Sequence, residues 1–455
     1  VWETDMWCQF REMPMGDPDF NTNLPATPFS IRTPSGKIIP AQVIDAQPYW
    51  MTRCARLAFP IEELAAGGYS IYTCFPEEAK ATVKNPVSVK RMHQTDGSHD
   101  IENHGWQMSN SKVSIQISNS DGLIHSMVET ATKREFAEQP LGRIEICDEK
   151  PMDFSAWEIG ERRPAEDVEV TNVSATAHGP YIARIATEWR FRDSKFTTTY
   201  ELRHNDPKIY IRIEGLWREW GDEVKGMPAM NIAFPLNLEN IKPRYEIPFG
   251  SIVRDTVPGV VVPTLRWTML TGKQGKAKAG LLILNHCKHG QSVTDNIFRV
   301  DLLRASYWPD PLPEAGEHTM ELSIQAFADA PSEAEACQAA QTITQPLRVC
   351  GTDSHKGTLP ADVTAFELSM NNVIVSAFKK AEGRDAFVIR LIETAGKKAQ
   401  GSLSINKESL GNIVSVEQAD IIERPKGKKL ISKKNKIFLK MNPFEIATLI
   451  IETEK

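Results

Sequence analysis

Apolar and polar positions alternate along most of this chain. Val113, Ile115 and Ile117 of "KVSIQIS" share one face, and Ile209, Ile211 and Ile213 of "KIYIRIEG" oppose Tyr210, Arg212 and Glu214. "FTTTYEL" sets Phe196, Thr198, Tyr200 and Leu202 on one side, and "TMELSIQAF" sets Met320, Leu322 and Ile324 against Glu321, Ser323 and Gln325. A period of two with one apolar face predicts half-buried, mostly antiparallel strands. The unbroken apolar run "GLLILN" (280–285) suits a strand covered on both faces. "SDGL", "HNDPK" and "AEGRD" supply the turns between strands. Helical signals are few: "PSEAEACQAAQTI" (331–343), with Pro331 placed for a first turn, and a single turn in "PIEELAAGG" (60–68). Strands do not alternate with helices as a parallel sheet requires, so the pattern predicts an all-β fold of stacked sandwiches.

Two polar stretches, 77–104 and 346–362, divide the chain. They predict a small β-sandwich over 1–85, a large many-stranded supersandwich over 100–345 and a second small sandwich over 360–455. A length of 455 residues is ample for several cores. With 25% charged residues and a net charge of −6, the balance argues against nucleic acid or an anionic membrane as the main partner. No apolar run approaches the roughly 20 residues that span a bilayer. The seven cysteines stand singly, without Cys-x-x-Cys spacing, and predict free buried thiols in a reducing, cytoplasmic setting. The opening "VWETDMWCQF" has neither initiator Met nor signal-peptide pattern, which fits a chain whose upstream part has been removed.

Several stretches carry candidate chemistry, each with a plainer alternative. His204 and Asp206 of "RHNDPK" have a metal-like spacing but sit in turn chemistry, and zinc needs at least three protein donors. His286, His289 and His318 could converge on a metal or be solvated loop residues. "LWREWGDE" offers Trp217, Glu219, Trp220, Asp222 and Glu223, either a sugar surface with paired carboxylates or a strand end with core tryptophans. In "YEIPFGSIVR", Pro248 and Gly250 bend the chain, and Glu246 either pairs with Arg254 to fix that corner or faces a ligand. "DLLRASYWPDPLPEAGEH" ends a strand at Arg304, whose fork can bind vicinal hydroxyls, and continues into a loop with Tyr307, Trp308 and Asp310. "RPKGKKLISKKNKI" (424–437) is a basic run suited to a solvated hairpin or an anionic partner.

The order "FPLNLENIKPRYEIPFGSIVR", "AGLLILNHCKHG", "VDLLRASYWPDPLPEAGEH" resembles the C-terminal β region of glycoside hydrolase family 38 α-mannosidases. "DFSAWEIG" (153–160), "GPYIARIATEWRF" and "MNPFEIATLIIE" (441–452) fit the same pattern, over roughly residues 100–455. The resemblance implies a mutarotase-like supersandwich between small sandwiches. It implies a retaining, zinc-dependent mannosidase whose nucleophile and zinc lie in an N-terminal (β/α) barrel, so that this chain alone holds neither and lacks activity. The implied partners are that barrel, mannose-containing glycans and possible further copies of the chain. The positions matching the family's pocket rim are Glu246, Arg254, Arg304 and Asp310, with Trp308 beside them. Where the family often has Asp-x-Gly-x-His, "EAGEH" (314–318) places Glu314 outside the pattern. A stand-alone sugar-binding or mutarotase-like module and a purely structural assembly module are the alternative readings.

Overall fold

The computed structural model describes residues 2–3, 8–12, 28–49, 52–62, 64–95, 100–164, 166–352 and 355–454. The side chain of Cys8, and residues 13–27 of the expected first sandwich, lie outside the described residues. The architecture is all-β, with small sandwiches flanking a large multi-stranded body.

That body is built on a nine-stranded antiparallel sheet. Its order is Glu169–His178, Ile182–Phe191, Ser194–Arg203, Lys208–Trp217, Gly316–Phe327, Ala277–Asn285, Trp267–Gln274, Glu239–Ile247 and Gly250–Val253. A five-stranded sheet (residues 88–135) and a six-stranded sheet cover its inner face. Alternation carries this packing. Ile115 and Ile117 from one layer meet Ile209, Ile211, Ile213, Leu322 and Ile324 from the other in one apolar core. The six-stranded sheet runs Arg162–Pro164, Arg143–Glu149, Met227–Pro235, Ile297–Arg304, Gly290–Thr294 and Val262–Pro263.

"GLLILN" shows why a strand can lose its alternation. Leu281 and Ile283 enter the main core, while Leu282 and Leu284 lie under the helix Glu333–Thr344 on the outer face. The helix begins at Ser332, whose hydroxyl accepts from the Glu335 amide while the Glu335 carboxylate accepts from the Ser332 amide, a capping box. Pro331 therefore precedes the cap instead of opening the first turn. Ala334, Ala336, Cys337 and Ala340 of this helix also meet Ile374 and Ile392 of the C-terminal sandwich. That sandwich pairs a four-stranded with a five-stranded sheet around Leu391, Leu403, Leu439 and Leu449.

The structure departs from the sequence reading in the connections. Within 77–104, Ser88–Thr95 pairs with Asp100–Ser109, because Val89 and Met92 face Met108 and Gly105 across a ladder that polar composition alone hides. The stretch 346–362 ends in a pairing of Asp362–Val363 with Tyr69–Ser70, where Ser70 Oγ donates to Asp362 at 2.7 Å. Gly68 permits this approach, since a Cβ there would stand 1.5 Å from the Val363 carbonyl oxygen. Residues 64–68 form no helix in "PIEELAAGG". The thiols also differ from expectation, with Cys337 buried but Cys287 and Cys350 exposed on connecting loops.

Candidate functional site

Four neighbouring strands of the six-stranded sheet have an end here, and register decides what meets there. Glu149 lies opposite both Met227 and Arg162, and Arg304 lies opposite Ala229. The Glu149 side chain has no exposed surface. Its carboxylate accepts from Arg304 Nε at 2.9 and 3.0 Å, Arg304 Nη2 at 2.8 Å, Arg162 Nε at 2.9 Å and the Gly160 amide at 3.2 Å. Arg162 closes a fork on Asp301 at 2.8 and 3.0 Å. Burial works against the charge on Arg162, but the hydrogen bonds and charges of Asp301 and Glu149 outweigh it and push the pKa up. Burial of such a network is tolerated because each ion is both paired and hydrogen-bonded.

Arg304 is therefore turned inward. Its remaining donors go to the Ser155 carbonyl at 2.5 Å and to the Glu158 carbonyl. These bonds fasten the loop 150–160 onto the loop 305–315. Buried Ser155 adds a second clasp, its Oγ accepting from the Tyr307 and Trp308 amides at 3.2 and 2.9 Å. Tyr307 Oη donates to the Met152 carbonyl at 2.6 Å. A third loop is pressed against the same end: Gly226 has φ +97°, and a Cβ there would lie 2.0 Å from the Glu149 carbonyl oxygen.

Above this polar base sit three aromatic rings. Phe154, Trp157 and Trp308 are 56%, 65% and 47% exposed, although their centroids lie only 5.1–6.3 Å apart. Phe154 holds a left-handed backbone (φ +56°) that a bulky residue adopts at a cost. Trp220 and Val224, on the loop before Gly226, are also exposed, as are Ile159 and Leu312. Asp310 is exposed and accepts from the Leu312 amide at 3.0 Å, an Asx turn. Of the residues that sequence reasoning named, Arg304, Trp308 and Asp310 come to this end of the body, and Arg304 is spent on Glu149 and the loop carbonyls; Glu149, Arg162, Asp301 and the ring partners Phe154 and Trp157 were not named. An available signal was the pair of arginines Arg162 and Arg163 beside "DFSAWEIG", where an exposed turn carries two large aromatics.

Glu246 and Arg254 lie elsewhere, and they do not pair. Glu246, only 4% exposed, accepts from the Arg266 amide at 2.7 Å, from Arg266 Nε at 3.1 and 3.2 Å, and from Arg266 Nη2. Burial opposes the charge on Arg266, and the Glu246 carboxylate restores it and raises its pKa. Arg254 stacks over the Tyr245 ring at 5.3 Å and donates to the Pro263 carbonyl at 3.0 Å. Alternation explains the correction. Glu246 faces Ser251 across the hairpin and Tyr245 faces Ile252, so Arg254 belongs to the Tyr245 face. The left-handed residue of this two-residue turn is Phe249 (φ +63°), not Gly250. Glu246, Arg266, Trp267 and Cys337 line a cavity of about 40 Å³ against Ile374 and Ile392 of the C-terminal sandwich, a seam between domains.

The remaining candidates resolve into structural parts. Trp217 is fully buried, and Glu219 accepts from Ser194 Oγ at 2.8 Å, while Arg218, Trp220 and Glu223 of "LWREWGDE" are exposed. Asp206 binds Lys208 and Tyr210, and His204 Nε2 contacts the Lys84 carbonyl at 2.8 Å. His289 Nδ1 lies 3.0 Å from the Thr264 carbonyl, and His318 Nε2 lies 2.7 Å from that of Glu314. Among the described residues no three His, Cys, Asp or Glu side chains come together to hold a metal ion. The donor set for zinc is thus absent from them.

Two family profiles match this chain. Residues 108–312 match the glycosyl hydrolases family 38 C-terminal domain, and residues 372–449 match the glycosyl hydrolases family 38 C-terminal beta sandwich domain. The chain belongs to glycoside hydrolase family 38. Relatives include alpha-mannosidase 2C1 of Homo sapiens, 25% identical over 393 residues, which cover 81% of this chain and 35% of that protein. Alpha-mannosidase of Saccharomyces cerevisiae is 23% identical over 420 residues, 81% of this chain and 37% of its own. The chain thus spans about a third of the length of the curated relatives it matches. An alpha-mannosidase from Enterococcus faecalis V583 has the same fold, with a TM-score of 0.72 at 15% identity, over 99% of this chain and 54% of that one. The matched parts are therefore C-terminal β domains of the family, and the aromatic end of Phe154, Trp157 and Trp308 falls within residues 108–312.

Proposed function

We propose that this chain is the C-terminal β region of a retaining, zinc-dependent α-mannosidase, and that it supports a catalytic barrel and shapes one wall of the sugar pocket. The nucleophile and zinc belong to the barrel, and the chain alone turns over no mannoside. The observation that carries this reading is the aromatic end of Phe154, Trp157 and Trp308. A rigid, exposed apolar patch held by a buried ionic network is suited to being covered by a partner surface. In this reading Arg304 positions the loops, while Trp308 and Asp310 stand at the rim of the pocket. Glu246 and Arg254 act at a distance, by fixing the hairpin and the seam that orient the C-terminal sandwich.

The test is hydrolysis of 4-nitrophenyl α-mannoside by the 455-residue chain, with and without added zinc, beside the same chain joined to a family 38 barrel. The chain alone gives none, and the joined protein is active. Trp157→Ala and Trp308→Ala reduce that activity, and turnover by the chain alone would overturn the proposal. A second reading, a stand-alone sugar-binding module, is favoured by the exposed indoles, which can stack on a pyranose. It requires saturable mannose binding by the chain alone, lost in Trp308→Ala.

A further inference from the structure

The basic run 424–437 borders a groove that nothing above employs. Between 424 and 440 the sequence holds eight Lys and Arg residues and no Asp or Glu, within a chain of net charge −6. In the C-terminal sandwich, Gln400 lies opposite Lys440 and Ser402 opposite Phe438, so these four share one face. Gln418 and Lys428 approach from the other sheet, and Leu430 packs against the sandwich core. Together they border a groove of about 490 Å³, within the size range of small-ligand sites, about 300–1,000 Å³. Among the described residues nothing partners the amides of Gln400 and Gln418 or the ammoniums of Lys428 and Lys440. Phe438 is 59% exposed beside them.

We infer that this groove binds a sugar residue that carries an anionic group. The exposed Phe438 ring offers a flat apolar face for the C–H side of a pyranose. The two glutamines supply donors and acceptors for hydroxyls. Lys428 and Lys440 bring two point charges for a phosphate or a carboxylate, in a local field made positive by the neighbouring lysines. A neutral mannose would use the ring and the amides but leave both ammoniums unanswered, so this site differs in chemistry from the mannose pocket proposed above.

Calorimetric titration of the 455-residue chain with mannose 6-phosphate and with glucuronate tests the inference. At least one of the two binds saturably, roughly tenfold more tightly than mannose, as a charge-assisted hydrogen bond predicts. Which one binds identifies phosphate or carboxylate as the anionic group. Lys428→Gln and Lys440→Gln each weaken binding and flatten its salt dependence, whereas Phe438→Ala weakens it with the salt dependence kept. All three positions are exposed, so the variants fold, and circular dichroism verifies it. The inference fails if neither sugar binds, or if the variants bind like the parent. It also fails if inorganic phosphate or a hexaglutamate peptide binds as tightly as the sugars, since the groove would then hold any anion or an acidic peptide.

Discussion

Glu149 is the residue on which the aromatic end depends, and its replacement gives a quantitative test. Glu149→Gln keeps the volume and removes the charge. Arg162 and Arg304, each only 18% exposed, are then left with Asp301 as the nearby counterion. Removing one member of a buried, hydrogen-bonded ion network costs about 3–5 kcal/mol, because the orphaned charge stays desolvated. For a domain of this size each kcal/mol shifts the midpoint by roughly 2–4 °C, so the transition falls by about 6–20 °C. The loss has a place as well as a size. Glutamine leaves one carbonyl oxygen for the donors of Arg162, Arg304 and Gly160 that two carboxylate oxygens served, and its NH2 faces the rest, so the Arg304 bonds to the Ser155 and Glu158 carbonyls slacken. Chemical denaturation followed by tryptophan fluorescence gives the energy, and amide exchange at residues 154–160 gives the location. A Gln variant within about 0.5 kcal/mol of the parent, with unchanged exchange in that loop, would refute the reasoning.

Other positions yield further expectations. Glu246→Ala strands Arg266 and costs about 3 kcal/mol, while Arg254→Ala loses the stack on Tyr245 and a solvent-accessible bond to the Pro263 carbonyl and costs about 1 kcal/mol; paired urea titrations separate them, and equal costs would contradict the Glu246–Arg266 pairing. Burial and the Glu246 carboxylate push the Cys337 thiol up to about 11. Its folded value exceeds the ordinary thiol value, so its contribution is fully present below about pH 8.5 and is lost as pH rises from there through about 11; Cys337→Ala abolishes this alkaline slope. In the folded protein at neutral pH, mass-spectrometric mapping finds Cys287 and Cys350 alkylated and Cys337 protected. At the acid end, burial opposes charge on Glu201 and Asp206, but Arg203 and Arg184 for the first and Lys208 for the second outweigh it and lower both carboxyls. Their stabilisation is present above the unfolded carboxyl value of about 4 and disappears as pH falls below it; a Glu201→Gln variant shows a shallower acid slope in thermal melts.

The strands were legible because burial on one face writes itself as alternation, as at Val113–Ser118 and Lys208–Trp217. "GLLILN" was legible because a helix covers the outer face of that strand, and the helix itself carried its Ser–Glu cap in the sequence. Ser88–Thr95 was not, since its side chains are mostly polar and its partner lies in the same polar stretch. The Glu246 error was one of parity. Its partner sits 20 residues away at the head of the neighbouring strand, and only the hairpin register shows that Arg254 points to the other face. Glu149 escaped notice for a related reason: its two ionic partners, Arg162 and Arg304, are 13 and 155 residues distant, and Asp301 joins the network only through Arg162. Local patterns reveal which residues turn inward, while long-range register decides which charges meet.

The central claim is that catalysis lies outside this chain and that the aromatic end supports it. The most direct measurement is the turnover of 4-nitrophenyl α-mannoside by the purified 455-residue chain in the presence of zinc. The account predicts no turnover, with activity gained on joining a family 38 barrel and reduced by Trp157→Ala. Turnover by the chain alone, or a joined enzyme indifferent to the loss of Trp157 and Trp308, would contradict it.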